Sequence, residues 1–213
     1  VKVISILGPG AINKTALDCI LSKVTTLDTV KIKGSSAKSK SAMEFQDYVT
    51  RKFPQIRTIE ICDDLESAIR DADIVSEGVS VPKEQWPMVD VNWIKPGCLF
   101  ISSGTVDFND HEFMVDHMGK VVDNIKMYEE YIHVYQEYEK DGTRKSLGIP
   151  GVEFANMMRD GEIEKCDVQH LGDIVRGIAP GRTRDDEIIL VSLGGMPILD
   201  VGWGYDCWQK AKA

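Results

Sequence analysis

The stretch that decides the fold is VKVISILGPGAINKTAL, residues 1–17. Val3-Ile4-Ser5-Ile6-Leu7 is a run of β-formers without a charge and predicts a buried strand. The run stops at Gly8-Pro9-Gly10, and Ile12, Ala16, Leu17, Ile20, Leu21 and Val24 then recur at helical spacing. A glycine turn between a first strand and a first helix leaves backbone N–H groups free at the helix N-terminus, where the dipole also favours an anion. Gly8 permits the tight turn, and Gly10 lets the backbone approach a phosphate closely. The third position of such a turn is usually small, to let helix pack on strand; here it is Asn13. By itself the turn fits either a pyrophosphate cradle or a plain strand-to-helix connection. Its place at the first βα junction of a βαβ series favours the cradle.

That series continues along the chain. Thr29–Lys33, Thr58–Cys62, Asp73–Glu77, Leu99–Ile101 and Lys120–Asp123 read as further strands, and Glu187–Leu193 as a last one. Between them lie a helix through Ala42, Phe45, Val49 and Phe53, a short one from Leu65 capped by Asp63 or Asp64, and a helix-like stretch from Phe108 to Met118. Strands alternating with helices predict an α/β domain: a doubly wound, mainly parallel sheet with helices on both faces. One such domain should fill residues 1–213, with a helical excursion at about 125–180 that holds helices at Tyr128–Glu139, Val152–Arg159 and Leu171–Arg176, and a closing helix from Ile198.

The bulk numbers narrow the function classes. A formal net charge of −9 argues against nonspecific nucleic-acid binding, which needs a basic face. No apolar run approaches membrane-spanning length and no leader pattern is present. The five cysteines are odd in number and widely spaced, neither a disulfide framework nor a metal pattern. Cys62 and Cys98 read as small core residues, and a reducing, cytoplasmic compartment is expected.

The end of the second strand reports on the cofactor. An NAD site usually carries an acid there for the ribose hydroxyls. Lys31–Ser41, KIKGSSAKSKS, has none. Lys33, Ser35, Ser36, Lys38 and Lys40 could hold a 2′-phosphate, or be the solvated residues of an ordinary loop. NADP is favoured, with NAD possible.

The distal run GDIVRGIAPGRTRDDEIILVSLGGMPILDV, Gly172–Val201, resembles the ornithine cyclodeaminase/mu-crystallin family in its glycine-terminated helix, its PGR turn, its DEI strand start and its S-x-G followed by an aspartate. The ADIV of Ala72–Val75, the WIKPG of Trp93–Gly97 and the Gly8 turn fit in the same order, so the resemblance covers nearly the whole chain. It implies a Rossmann-type domain in an NAD(P)-dependent oxidoreductase or cyclodeaminase that acts on an amino acid or its cyclic imine. Ketimine or opine-type reduction is one alternative, and noncatalytic NADPH binding of the mu-crystallin kind another. Hydride passes between the cofactor and a carbon bearing nitrogen, while the protein orients that carbon and moves a proton.

The resemblance also implies site residues. Gly8, Gly10, Ala11 and Ile12 match the phosphate turn, and Gly34, Ser35 and Ser36, with Lys38 beside them, match the segment that meets the adenosine ribose or its phosphate. Gly78 and Val79 match residues lining the cofactor, Ser103 and Gly104 follow the fifth strand, and Ser192 matches a serine near the nicotinamide. The family's acid shortly after the fifth strand falls on Val106 when Glu112-Phe113 is the anchor, with Asp107 adjacent. Asp107 either takes the catalytic role through a shifted loop or caps that loop. The family's N-terminal substrate domain has no counterpart here and the chain begins at Val1. The expectation is a fragment, or a chain completed by a partner, with a homodimer formed through the missing part.

Other residues carry weaker signals. His111 lies near Asp107 and is an acid–base candidate. Arg182 either fixes the PGR turn or meets an anion, and Asp200 either faces the site or sits against a helix dipole. Tyr128, Tyr131, Tyr135 and Tyr138 form a stripe for packing or an interface, and Trp203, Tyr205 and Trp208 could cover a contact surface.

Overall fold

The computed structural model describes residues 1–36 and 38–212. Its centre is an eight-stranded sheet in the order β3 (Thr58–Ile61), β2 (Thr29–Lys33), β1 (Val3–Leu7), β4 (Ile74–Glu77), β6 (Leu99–Ser102), β10 (Ile188–Ser192), β8 (Met118–Val122), β9 (Val168–His170), parallel throughout. From β1 (Val3–Leu7) the chain runs through α1 (Ala11–Lys23), β2 (Thr29–Lys33), α2 (Lys40–Lys52) and β3 (Thr58–Ile61) to one edge. It returns through α3 (Leu65–Ile69) to β4 (Ile74–Glu77), on the other side of β1. The direction of winding reverses between β1 and β4, and that reversal opens a crevice at the carboxyl ends of the two strands.

Both faces of the sheet are covered, which is why its central strands tolerate unbroken apolar runs. Ile4, Ile6, Val30 and Ile32 pack with Leu17 of α1 and Phe45 and Val49 of α2. Leu7, Val75, Phe100 and Leu190 point the opposite way, toward α3, α5 (Ile125–Tyr135) and α6 (Pro150–Asp160). Local capping sets the helix starts: Ser39 accepts from the Ala42 amide at 3.3 Å and Asp64, not Asp63, from the Ser67 amide at 2.7 Å. Cys62 and Cys98 are buried as expected.

The structure departs from the sequence reading at four places. On α1 the buried positions are Asn13, Leu17 and Leu21, whereas Ile12 is exposed. The region expected to be helical from Phe108 begins instead with β7 (Asp107–Phe108), paired with β5 (Met88–Val89) in a small second sheet; α4 (His111–His117) follows, capped by Asp110. Beyond α4, β8 (Met118–Val122) rejoins the main sheet. The excursion is not purely helical, because β9 (Val168–His170) pairs with β8 at the sheet edge before α7 (Leu171–Val175). α5 ends at Tyr135, and Tyr138 turns back to bridge Arg144 around Asp141-Gly142. Of the tyrosine stripe, Tyr128 is core while Tyr131, Tyr135 and Tyr138 are exposed. β10 (Ile188–Ser192) then enters between β6 (Leu99–Ser102) and β8, and α8 (Pro197–Lys212) follows, burying none of its residues.

Candidate functional site

The crevice at the reversal is a cleft of about 690 Å³. The β1 exit contributes Gly8, Pro9 and Gly10, the β2 exit Lys33, Gly34 and Ser35, and the β4 exit Gly78 and Val79. Trp86 supplies an apolar wall. Gly8 has φ +80°, and a Cβ on it would lie 2.8 Å from the Gly78 carbonyl oxygen. Only glycine allows the β1 and β4 exits to approach this closely. A Cβ on Gly10 would meet nothing within 4 Å, so that face is open to the cleft. No side chain caps α1 at Gly10, so the amides of its first turn, Ala11 and Ile12 among them, and the dipole behind them are left for a ligand. A pyrophosphate fits this open, uncapped turn.

Asn13, missing a glycine's smallness, earns its place by hydrogen bonding. It is fully buried. Its Nδ2 donates to the Leu7 and Gly8 carbonyls at 2.9 and 2.8 Å, and its Oδ1 accepts from the Ser76 hydroxyl at 2.8 Å. The side chain thus ties α1 to the turn below it and to β4. Gly78 makes room, since a Cβ there would stand 3.2 Å from the Asn13 amide nitrogen. The sequence signal was present in a polar residue on the inward stripe of α1.

At the β2 exit, Lys33 lines the cleft with its Nζ donating to the Gly34 carbonyl at 2.6 Å. Ser35 and Ser41 also line it, while Ser36 and Lys38 are exposed on the same loop outside the lining. Ser103 and Gly104 stand one strand further on, beside the β4 exit rather than in the cleft. The Ser103 amide and hydroxyl both donate to the Glu77 carbonyl at 2.9 Å. Ser192 is buried at the end of β10, level with Ser102. Tyr128 stands close by, its hydroxyl donating to Asp123 at 2.9 Å, and burial pushes its phenol upward.

Asp107 faces a different cleft, of about 500 Å³. Ser146 Oγ donates to its carboxylate at 2.5 Å and accepts from the Gly148 amide at 3.0 Å. His111 is there too, 2.8 Å from Glu162. Met88, level with Asp107 in the small sheet, borders both clefts. Arg182 is structural: its guanidinium donates to the carbonyls of Glu187 and, at 3.0 Å, of Gly97, pinning the PGR turn onto the turn before β6. Asp200 is exposed on α8.

The sequence reading passed over Glu77, the last residue of β4. It is 0% exposed, and its carboxylate accepts from the Val79 amide at 2.5 Å, the Ser102 hydroxyl at 2.8 Å and the Gly104 amide at 3.2 Å. Burial pushes this carboxyl above its ordinary range, against the pull of these donors. The only signal available was an acid closing an otherwise uncharged, buried parallel strand.

Comparison with known proteins agrees with this architecture. The chain is 22% identical over 212 residues to N-((2S)-2-amino-2-carboxyethyl)-L-glutamate dehydrogenase of Staphylococcus aureus (strain NCTC 8325 / PS 47), a match covering 99% of this chain and 55% of that enzyme. An archaeal alanine dehydrogenase dimer with bound NAD superposes with a TM-score of 0.65 at 21% identity, over 94% of this chain and 54% of that one. A probable ornithine cyclodeaminase from Bordetella pertussis Tohama I gives 0.65 at 13% identity, over 92% and 54%. The chain therefore spans about half the length of the relatives it matches, and the structural likenesses show a shared Rossmann-type fold. The family model matches residues 1–213 in full, and the chain belongs to the ornithine cyclodeaminase/mu-crystallin family.

Proposed function

We propose that this chain is the dinucleotide-binding portion of an NAD(P)-dependent oxidoreductase or cyclodeaminase acting on an amino acid or its imine, with NADP preferred. The observation that carries the reading is the cleft at the β1/β4 reversal, where Gly8 and Gly10 present an uncapped helix N-terminus to open space. The amides of Ala11 and Ile12 hold the pyrophosphate. Lys33 and Ser35 at the acid-free β2 exit, with Ser36 and Lys38 on the loop beyond, receive the adenosine 2′-phosphate. Gly78, Val79 and Trp86 enclose the middle of the ligand, and Ser103, Gly104 and Ser192 mark the nicotinamide end. The nicotinamide, when bound, supplies hydride chemistry at a carbon bearing nitrogen. The substrate side of the cleft is completed by further chain or by a partner copy.

One observation favours dehydrogenation over cyclisation. Val106 occupies the position of the family acid and is buried, while Asp107 is held by Ser146 in the neighbouring cleft. In the dehydrogenase reading Asp107 is the candidate proton-transfer group, reached from the cofactor cleft past Met88.

Isothermal titration with NADPH and with NADH tests the central claim. Micromolar binding, tighter for NADPH, is expected, and failure of both to bind overturns it. A screen of amino acids against the longer protein, followed at the nicotinamide absorbance band, then identifies the substrate class.

A further inference from the structure

We infer that Glu77 is a positioning residue for the dinucleotide: its buried carboxylate ties the β4 exit to the β6 exit and sets the cleft wall at Gly78-Val79. The inference rests on the reading of that cleft as a dinucleotide site. Glu77 lies at the end of β4, level with Leu7 of β1 and Ser102 of β6. One carboxylate oxygen takes the Val79 amide, two residues on, at 2.5 Å. The other takes the Ser102 hydroxyl and the Gly104 amide, at 2.8 and 3.2 Å. The same two loops are zipped a second time, where the Thr105 amide donates to the Val79 carbonyl at 3.1 Å. They lie so close that a Cβ on Gly104 would fall 2.5 Å from the Glu77 carboxylate. Val79 lines the cleft, so the carboxylate fixes a wall of the site without touching its occupant.

The chemistry of the contacts favours the ionised form. The Val79 and Gly104 amides only donate, and a carboxylate accepts from both and from the Ser102 hydroxyl; a protonated acid accepts from the amides more weakly and turns its own hydrogen toward Ser102, reversing that bond. The groups facing Glu77 from its own strand, from β6 and from the exit loops are uncharged, and none of the ion pairs among the described residues includes it. Nothing offsets the desolvation of the charge except these hydrogen bonds, and burial raises its folded-state pKa. The sign follows from linkage. A folded-state pKa above the unfolded value means that the folded chain binds the proton more tightly, so this group adds stability as pH falls through that value. Protonation meanwhile removes the charge that strengthens the bonds from the Val79 and Gly104 amides and so loosens the wall. Stability and dinucleotide affinity therefore move in opposite directions over one pH window, which a purely structural acid would not produce.

The test compares wild type with Glu77→Gln for NADH and NADPH affinity and for thermal midpoint, from pH 8 down through the acid range, with the Val79 and Gly104 amide signals followed by NMR. Gln can satisfy two of the donors but places its NH₂ against the third. Its affinity should be lower by about tenfold at pH 8 and flat in pH relative to wild type, whose affinity falls toward the variant's as Glu77 protonates. The ratio of the two proteins cancels the titration of the ligand's own phosphate. Wild-type binding matched by Glu77→Gln at every pH overturns the proposal alone. Failure of wild type to bind either dinucleotide overturns the reading of the cleft as well. Should Glu77→Gln not fold, wild-type amide signals of Val79 and Gly104 that do not titrate together with the affinity loss overturn the proposal without it.

Discussion

The two clefts that meet at Met88 are built from different materials. The cleft at the β1/β4 reversal has a floor of backbone, with Gly8, Gly10, Gly34 and Gly78, an uncapped helix end and one lysine, and an apolar wall at Val79 and Trp86. The cleft at Asp107 is shaped by polar side chains that pair with one another, as in Ser146 with Asp107 and His111 with Glu162, set among Val106, Phe108 and Met114. A backbone-walled cleft binds by what it leaves open and fails when an atom is added. A side-chain-walled cleft holds its shape through pairs and fails when an atom is removed.

The largest effect is expected at Gly8. Gly8→Ala puts a methyl 2.8 Å from the Gly78 carbonyl oxygen on a backbone with φ +80°. The conformation alone costs about 1–3 kcal/mol, and the displaced β4 exit closes the cleft from its other side. Urea denaturation should register the lower stability, and titration should find no dinucleotide binding. Retention of wild-type affinity would mean that the cleft is not shaped by the approach of these two glycines.

Asn13→Gly restores the glycine that the turn formally lacks and should nevertheless harm the protein. It removes the acceptor of the buried Ser76 hydroxyl and one of the two donors to each of the Leu7 and Gly8 carbonyls, which keep only the Gly78 and Gly10 amides. Stability should fall by about 2–3 kcal/mol, read from the urea midpoint, with weaker dinucleotide binding as the turn loosens. A more stable protein would show that packing and not hydrogen bonding governs this position.

These two residues also show what could be read in advance. Gly8 and Gly10 announce themselves because such a turn needs a glycine for its positive φ at the strand end and another, two residues on, for an open face. The alternation of apolar runs gave the parallel sheet and its winding for the same local reason. Asn13 looked like a defect in the turn, because its partner Ser76 is 63 residues away. Glu77 was invisible in kind: its strand was legible, but its three donors come from the β4 exit, the end of β6 and the β6 exit, which only the sheet brings together. The second cleft was hidden more thoroughly still. Its defining pairs span 39 and 51 residues, and the strand holding Asp107 is two residues long, too short for periodicity to register.

The 2′-phosphate assignment yields a smaller and more selective effect. Lys38→Glu places a negative charge on the exposed loop that carries Ser35 and Ser36. NADPH affinity should drop about tenfold while NADH affinity holds, because only NADPH carries the extra phosphate. Equal losses for both would assign the lysine to general attraction of anions.

The smallest effect tests whether the clefts are independent. Ser146→Ala removes the donor to Asp107 and the acceptor of the Gly148 amide. Both sites are part-buried, so water replaces some of what is lost and the cost should be about 1 kcal/mol in a urea titration. Dinucleotide affinity should not change, since neither group lines the other cleft. Met88 is the residue through which a disturbance could pass, as it sits level with Asp107 across the two-stranded sheet and borders both spaces. A combined Ser146→Ala, Asn13→Gly protein therefore decides the matter. Losses that add within about 0.5 kcal/mol mean two independent sites. A larger interaction energy means that the small sheet couples them, and Asp107 would then answer to the occupant of the backbone-walled cleft even though it lies outside it.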